Sequence, residues 1–138
     1  MISYWFLKSE SDVYSWDDLV RDGKTPWTGV RNFQARNNLK AMEEGDLGVL
    51  YHSGDERVVM GVIKVVRGAY SDETAKEGEW VAVDIVPLEP LRRPVTLELM
   101  KNEPDLQAAA TLKQSRLSVS PLTEKEYSRI CKLGGIVV

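Results

Sequence analysis

Two neighbouring segments suited to β-strands constrain the fold more than any other feature of this chain. Side chains over residues 46–53 alternate between two faces, and residues 58–66 are dominated by β-branched types. The turn Ser53-Gly54-Asp55-Glu56 joins them. The sequence therefore predicts a β-hairpin in the middle of the chain.

Further strands and short helices surround this hairpin. Strands are predicted over residues 3–9, 80–86 and 116–120, and helices over 15–23, 31–42 and 123–134, with helical turns within 96–102 and 104–110. Ser15 and Thr123 each precede a carboxylate by three positions, the spacing of a capping box. This order favours an α+β domain on a mixed, curled sheet or small barrel, with residues 1–138 forming one domain.

Two helices have predicted inner faces. Phe33, Leu39 and Met42 are expected to form the buried edge of the helix over 31–42. In the last helix the expected inner residues are Tyr127, Ile130 and Cys131, so Cys131 is interpreted as a small buried hydrophobe rather than a nucleophile.

Composition limits the class of protein. The chain has 138 residues, of which 43% are hydrophobic and 28% charged, and its first apolar run is too short for a signal peptide or membrane span. The chain has a single cysteine, which excludes an internal disulfide. Because it also has only one histidine, a zinc site is improbable. No glycine-rich phosphate loop is present. We expect an intracellular protein with no metal, cofactor or membrane partner.

Positive charge is concentrated locally. Residues 24–40 contain Lys24, Arg31, Arg36 and Lys40 and no acidic residue, whereas the whole chain has a formal charge of −3 and a pI near 5.3. A net acidic chain binds polyanions poorly without specificity. Any contact with nucleic acid should therefore be short and centred on a pocket.

The segment 27–38 combines one indole, two guanidiniums and four carboxamides. Carboxamides present a donor and an acceptor to a base edge, guanidiniums suit phosphates, and an exposed indole offers a stacking face. A loop rich in Gly, Pro and Thr is a poor place to bury Trp27, so this side chain is a candidate for a pocket wall. Trp16 and most of Tyr4-Trp5-Phe6 are assigned to the core instead. The alternative is a turn leading into a solvated helix.

Two other functional classes remain open. An enzyme would need His52, Ser53 and a carboxylate such as Asp84 to converge, but adjacent strand residues point to opposite faces. A structural histidine is the favoured interpretation. The second alternative is a protein-interaction module that docks through the polar helix.

The order of many short motifs resembles one family over nearly the whole chain. The motifs are YWFLKSE at 4–10, YSWDDL at 14–19, WTGVRNFQARNN at 27–38, GDL at 45–47, YHS at 51–53, AYSDETA at 69–75, WVAVD at 80–84, PVTL at 94–97 and RLSV at 116–119. They are similar to those of the EVE domain, of the PUA-like group that also contains the YTH and SRA-type readers of modified bases.

This resemblance implies a PUA-like pseudobarrel of mixed strands with flanking short helices, around a pocket for one modified base, such as a modified cytosine, in DNA or RNA. The chain lacks the long basic N-terminal tail of nuclear animal members, so we expect a stand-alone, bacterial-type cytoplasmic domain, or a nuclear one in a eukaryote. A non-catalytic monomer is expected.

The expected mechanism takes a flipped base between Trp27 and a second wall, either Tyr70 or Trp80. The base-binding candidates are Lys8, Ser9, Trp27, Arg31, Asn32, Asn37, His52, Ser53, Tyr70, Trp80 and Asp84. The phosphate-binding candidates are Arg36, Lys40 and Arg116, with Arg31 also able to hold a flanking phosphate.

Overall fold

The computed structural model describes residues 1–136 and contains six strands. They are β1 (Tyr4–Glu10), β2 (Thr25–Pro26), β3 (Leu47–Ser53), β4 (Val58–Ser71), β5 (Val81–Thr96) and β6 (Val119–Leu122). The helices are α1 (Trp16–Asp22), α2 (Phe33–Ala41), α3 (Leu97–Lys101), α4 (Ala110–Lys113) and α5 (Glu124–Leu133), with a 3₁₀ turn at Pro104–Leu106. The predicted hairpin is β3–β4, and the α+β class is confirmed.

All six strands form one mixed sheet in the order β2-β5-β4-β3-β1-β6. β1 and β3 are parallel, and the other neighbours are antiparallel. The register shifts once between β3 and β4 and four times between β4 and β5. Such bulges bend the strands and increase their twist, which curls the sheet.

β4 and β5 are longer than predicted, because the sequence pattern fades where the sheet bends. Pro87 and Pro90 pair with β4 beside two of the register shifts, where a missing N–H is tolerated. Thr25 and Pro26, predicted as loop, pair with the outer edge of β5. This pairing carries the following loop onto the sheet.

The curled sheet buries side chains on both faces. Trp5 and Leu7 pack with α1 and α2, whereas Phe6, between them, packs with α3 and α5 on the other face. This alternation is the one that the sequence predicts for a strand. Tyr127, Ile130 and Cys131 are buried as predicted.

Two helices begin at the predicted caps, but the buried edge of α2 differs from the prediction. Ser15 and Thr123 both form capping boxes as predicted. Asn32, predicted only as a base-binding residue, caps α2 by accepting from the Ala35 N–H at 2.9 Å. Leu39 is fully buried, but Phe33 is 65% exposed, so the prediction that Phe33 lies in the core is wrong. Phe33 is the first residue of α2, and the buried face is set by Ala35 and Leu39, one helical turn apart.

No helix within residues 1–136 combines the length and apolar character needed to cross a membrane.

Candidate nucleic-acid interface

A cavity of about 780 Å³ lies at the carboxyl ends of the parallel strands β1 and β3. Lys8, Ser9 and Glu10 come from the end of β1, and Ser53 is the last residue of β3. The remaining lining comes from the loop before α1, from residues 25–32 and from the segment before β6. The cavity therefore depends on segments that are far apart in the chain.

Trp27 and Tyr14 form the aromatic part of the lining. The two rings meet edge to face, with centroids 6.1 Å apart and an interplanar angle of 83°. The backbone N–H of Trp27 donates to the Val83 carbonyl at 2.7 Å, continuing the pairing of β2 with β5. Only 8% of Trp27 is exposed, so the expectation that this loop would leave its indole unburied is wrong. The indole both packs in the core and borders the cavity.

Hydroxyl and cationic groups form the polar part of the lining. The Lys8 ammonium donates to the Ser115 carbonyl at 2.9 Å, and burial lowers the pKa of Lys8. Ser9, Ser53 and Ser118 add hydroxyls, and Arg31 and the exposed Arg116 add two further cations. These groups can donate to, or accept from, the edge of a polar ligand.

A buried carboxylate fixes the position of Arg31. Asp72 accepts from Arg31 Nη1 at 3.0 Å, from the Gly29 N–H at 2.9 Å and from the Thr74 hydroxyl at 2.6 Å. Burial alone would raise the pKa of Asp72, but these hydrogen bonds outweigh burial and lower the pKa to about 2. Asp72 therefore stays ionised at neutral pH and ties the cavity loop to the segment after β4.

The two candidate asparagines have different environments. Asn32 lines the cavity, but its Oδ1 is already used as the cap of α2, which leaves the Nδ2 donor for a ligand. Asn37 is exposed on α2 and its Oδ1 accepts from Arg36 at 3.4 Å. Asn37 does not line the cavity.

The cavity brings together some of the sequence candidates and not others. Those on its lining are Lys8, Ser9, Trp27, Arg31, Asn32, Ser53 and Arg116. Those outside it are Arg36, Asn37, Lys40, His52, Tyr70, Trp80 and Asp84. The group outside lies on α2, within the hairpin, or on and next to β4 and β5.

His52 is a buried structural group. Its Nε2 accepts from the Trp16 backbone N–H at 3.0 Å, and its Nδ1 lies 3.2 Å from a carboxylate oxygen of Glu56. These partners fit a neutral ring with its proton on Nδ1. Asp84 instead accepts from the Tyr70 hydroxyl, so the structure does not assemble the triad that the enzyme interpretation requires.

Neither proposed second wall borders the cavity. Tyr70 contacts Asp84 and lies under the Arg67 guanidinium, 3.7 Å from the ring centroid, and burial together with the Asp84 hydrogen bond raises the pKa of Tyr70 to about 12. Trp80 stacks on Phe33. The aromatic neighbour of Trp27 is Tyr14. Tyr14 lies in the motif at 14–19, but nothing near it in the sequence indicates that its ring meets Trp27, so it was not predicted as a site residue.

Other lining residues were also missed. Thr25 and Pro26 adjoin Trp27 in sequence, so their proximity to a Trp27 pocket was a usable signal. Ser115 and Ser118 reach the cavity only because β6 pairs with β1. Within residues 1–136, no three His, Cys, Asp or Glu side chains are grouped as metal ligands.

The curled mixed sheet with short flanking helices and a pocket at its strand ends defines a PUA-like pseudobarrel domain. The pattern of the EVE domain matches residues 3–133. The chain belongs to the EVE domain family. Thymocyte nuclear protein 1 of Mus musculus is 32% identical, over 95% of this chain and 73% of that protein.

Solved structures agree with this assignment. A crystal structure of a protein from Agrobacterium tumefaciens has a TM-score of 0.94 at 40% identity, covering 97% of this chain and 94% of that chain. The structure of the human THYN1 protein in complex with 5-methylcytosine containing DNA has a TM-score of 0.86 at 30% identity, covering 96% of this chain and 97% of that chain. A YTH domain of Zygosaccharomyces rouxii shares the fold, with a TM-score of 0.61 at 16% identity over 99% and 88% of the two chains.

Proposed function

We propose that this protein is a non-catalytic reader that takes a flipped, modified base of DNA or RNA into the cavity bordered by Trp27. The proposal rests on one observation above the others. A cavity of about 780 Å³ joins an aromatic wall to hydroxyl, amide and cationic groups. Ligand sites of this size are typically apolar with a few convergent polar groups.

Stacking supplies the part of the affinity that does not depend on base identity. Base–aromatic stacking contributes about 1–3 kcal/mol per base. Trp27 is held by the core and by Tyr14, so little side-chain freedom is lost when a base packs against it. A recess for one methyl group would add on the order of 1 kcal/mol.

Base identity would depend on polar groups around the ring. Ser9, Ser53 and the free Nδ2 of Asn32 line the cavity and would meet the base edge, and a wrong edge would leave donors that the base covers unpaired. Lys8 and Arg116 are suited to the phosphates that flank the flipped nucleotide, with Arg36 and Lys40 further along α2. The human relative bound to 5-methylcytosine containing DNA supports a modified cytosine as the first ligand to test.

We further propose that the protein acts as a monomer. Its compartment would be the one that holds its ligand, the cytoplasm of a bacterium or the nucleus of a eukaryotic cell.

The first experiment is binding to matched single- and double-stranded DNA and RNA oligonucleotides at fixed salt. Each carries one unmodified cytosine, methylcytosine, hydroxymethylcytosine or methyladenine. A clear preference for one modified base supports the reader. Equal, weak binding to all of them would overturn it and favour the protein-interaction module.

Two tryptophan variants separate the pocket from the fold. Trp27→Phe keeps most of the core volume but reduces the stacking surface, so the affinity for the preferred oligonucleotide should fall several-fold. Trp16→Phe is the control, because Trp16 is equally buried but does not line the cavity. It should lower stability and leave the base preference unchanged. Equal affinity of folded Trp27→Phe and wild-type protein would remove Trp27 from the site.

A further inference from the structure

Phe33 is a large aromatic side chain that the fold leaves exposed. Phe33 is 65% exposed although α2 buries Ala35 and Leu39. It lies nearly parallel to the Trp80 ring, with centroids 5.2 Å apart and an interplanar angle of 14°. One face of Phe33 is therefore covered by Trp80, and core packing does not account for the exposure of the rest of the ring.

Two guanidiniums hold this stack in place. The Arg36 guanidinium lies 4.9 Å from the Phe33 centroid and 5.5 Å from that of Trp80, and it donates to the Glu79 carbonyl at 3.3 Å. The Arg31 guanidinium lies 5.6 Å from the Trp80 centroid and is fixed by Asp72. We call Phe33, Trp80, Arg31 and Arg36 the aromatic platform. Its two rings are already stacked on each other without a ligand, which lowers the entropic cost of binding.

The aromatic platform adjoins the cavity through two of its members. Arg31 contacts Trp80 and also lines the cavity, and Phe33 directly follows the cavity residue Asn32. A nucleic-acid strand with one base in the cavity must continue across its rim. Phe33 offers such a strand an exposed ring directly after the lining residue Asn32.

We propose that the aromatic platform is a second base-binding site, in which Phe33 stacks on the base next to the one held in the cavity. This inference rests on the proposed function. Stacking on an aromatic ring tolerates any base, because every base has a π face. The platform would therefore add affinity for a strand without adding preference for a sequence.

Charge favours this occupant and indicates its path. Residues 24–40, which include the first part of the platform, carry four cations and no carboxylate. Between Asp72 and Trp80 the chain carries Glu73, Glu77 and Glu79 and one cation, Lys76, so this segment is net acidic. A polyanion is attracted to the side of α2 and repelled from that acidic segment, so the strand should run along α2, towards Lys40.

The test compares a free nucleoside with an oligonucleotide. Both carry the same modified base, and the oligonucleotide is a single strand of five nucleotides with that base at its centre. Phe33→Ala should weaken oligonucleotide binding about tenfold and leave nucleoside binding unchanged. Phe33→Tyr should retain wild-type affinity for both. Leu88→Ala is the matched control, since Leu88 is 51% exposed on β5 and lines neither site, and it should change nothing.

The outcomes separate this inference from the reader function. Unchanged oligonucleotide affinity in Phe33→Ala, or an equal loss for nucleoside and oligonucleotide, overturns the platform and leaves the reader intact. A different result would overturn the reader and retain the platform. In that case oligonucleotide affinity would be the same with and without the modification and unchanged in Trp27→Phe, but would fall in Phe33→Ala. Absence of oligonucleotide binding by the wild-type protein overturns both.

Discussion

Arg31 and Asp72 form a charged pair at the edge of the cavity, with the guanidinium Nη1 3.0 Å from a carboxylate whose side chain is wholly buried. The same carboxylate also accepts from Gly29 and Thr74. One acidic residue thus connects the loop that follows Trp27 with the segment after β4. The cavity rim is held by this carboxylate as well as by the pairing of β2 with β5.

Replacement of this carboxylate should reduce stability in a pH-dependent way. The pKa of Asp72 is lowered from 3.8 to about 2 in the folded protein. Asp72→Asn should therefore lower the free energy of unfolding by about 2 kcal/mol at pH 7, because ionised Asp72 stabilises the fold. Since the folded pKa lies below the unfolded one, this contribution is complete above about pH 4 and is lost as the pH falls towards 2.

Urea unfolding of wild-type protein and Asp72→Asn at pH 7, 5, 4 and 3 measures this effect. The difference between the two proteins should be constant from pH 7 to 5 and shrink below pH 4. A difference that stays constant down to pH 3 would show that the charge of Asp72 does not contribute.

Gly61 allows β4 to approach the Trp16 indole. A Cβ at this position would lie within 2.6 Å of the Cζ2 and Cζ3 atoms of Trp16. Gly61→Ala should lower the free energy of unfolding by about 1–3 kcal/mol, since overpacking forces side chains and backbone to shift. Gly68→Ala on the same strand is the control, because its Cβ would approach only the Met42 carbonyl, at 3.4 Å.

Thermal or urea unfolding of the two alanine variants gives the comparison. Gly68→Ala should stay within about 0.5 kcal/mol of wild type. Equal stabilities of the two variants would contradict the close contact between β4 and Trp16.

His52 should contribute to stability and not to catalysis. His52→Ala removes the acceptor of the buried Trp16 N–H, which should cost about 1–3 kcal/mol in the free energy of unfolding. Base preference should be unchanged, because His52 does not line the cavity. Wild-type and variant proteins would be compared by urea unfolding and by the oligonucleotide panel. A nucleotide hydrolysis that the wild type performs and the folded variant loses would support the enzyme instead.

Arg116 should act on phosphates rather than on bases. It is exposed at the edge of the cavity. Arg116→Ala should weaken binding to modified and unmodified oligonucleotides by similar factors and reduce the slope of log K against log salt by about 1. Titrations at several salt concentrations measure this slope.

Arg92→Ala is the charge-matched control for Arg116→Ala. Arg92 is exposed and contacts Glu89, away from the cavity. This variant should leave affinity and salt slope unchanged. A change in base preference in Arg116→Ala would assign it to the base edge.

Local patterns predicted most of the elements, and the misses have physical causes. The capping boxes at Ser15 and Thr123 and the β3–β4 hairpin depend on residues a few positions apart, so the sequence shows them directly. Phe33 fits the apolar spacing of α2, but its position at the helix start carries it off the buried face. The strand predicted over 80–86 is shorter than β5, because the prolines of β5 weaken the strand pattern, although they are tolerated at bulges.

The candidate site residues show the same difference between local sequence patterns and long-range packing. Lys8, Ser9, Trp27 and Asn32 lie in motifs of the EVE domain, and the structure places them on one cavity. Tyr14 and Ser118 also lie in such motifs, but only long-range packing brings their side chains to that cavity, and they were not predicted as site residues.

By itself, the sequence determined the caps, the alternation of strand side chains, the local basic segment and the family. Each is encoded by residue types at short spacing or in a fixed order along the chain. Only the tertiary structure decided that Trp27 packs edge to face with Tyr14 and that Asp72 binds Arg31. It also decided that Phe33 stacks on Trp80 while most of its surface stays exposed. These contacts join segments up to 47 positions apart, between Phe33 and Trp80. Such pairs are set by how the curled sheet brings its loops together, and no local pattern specifies that arrangement.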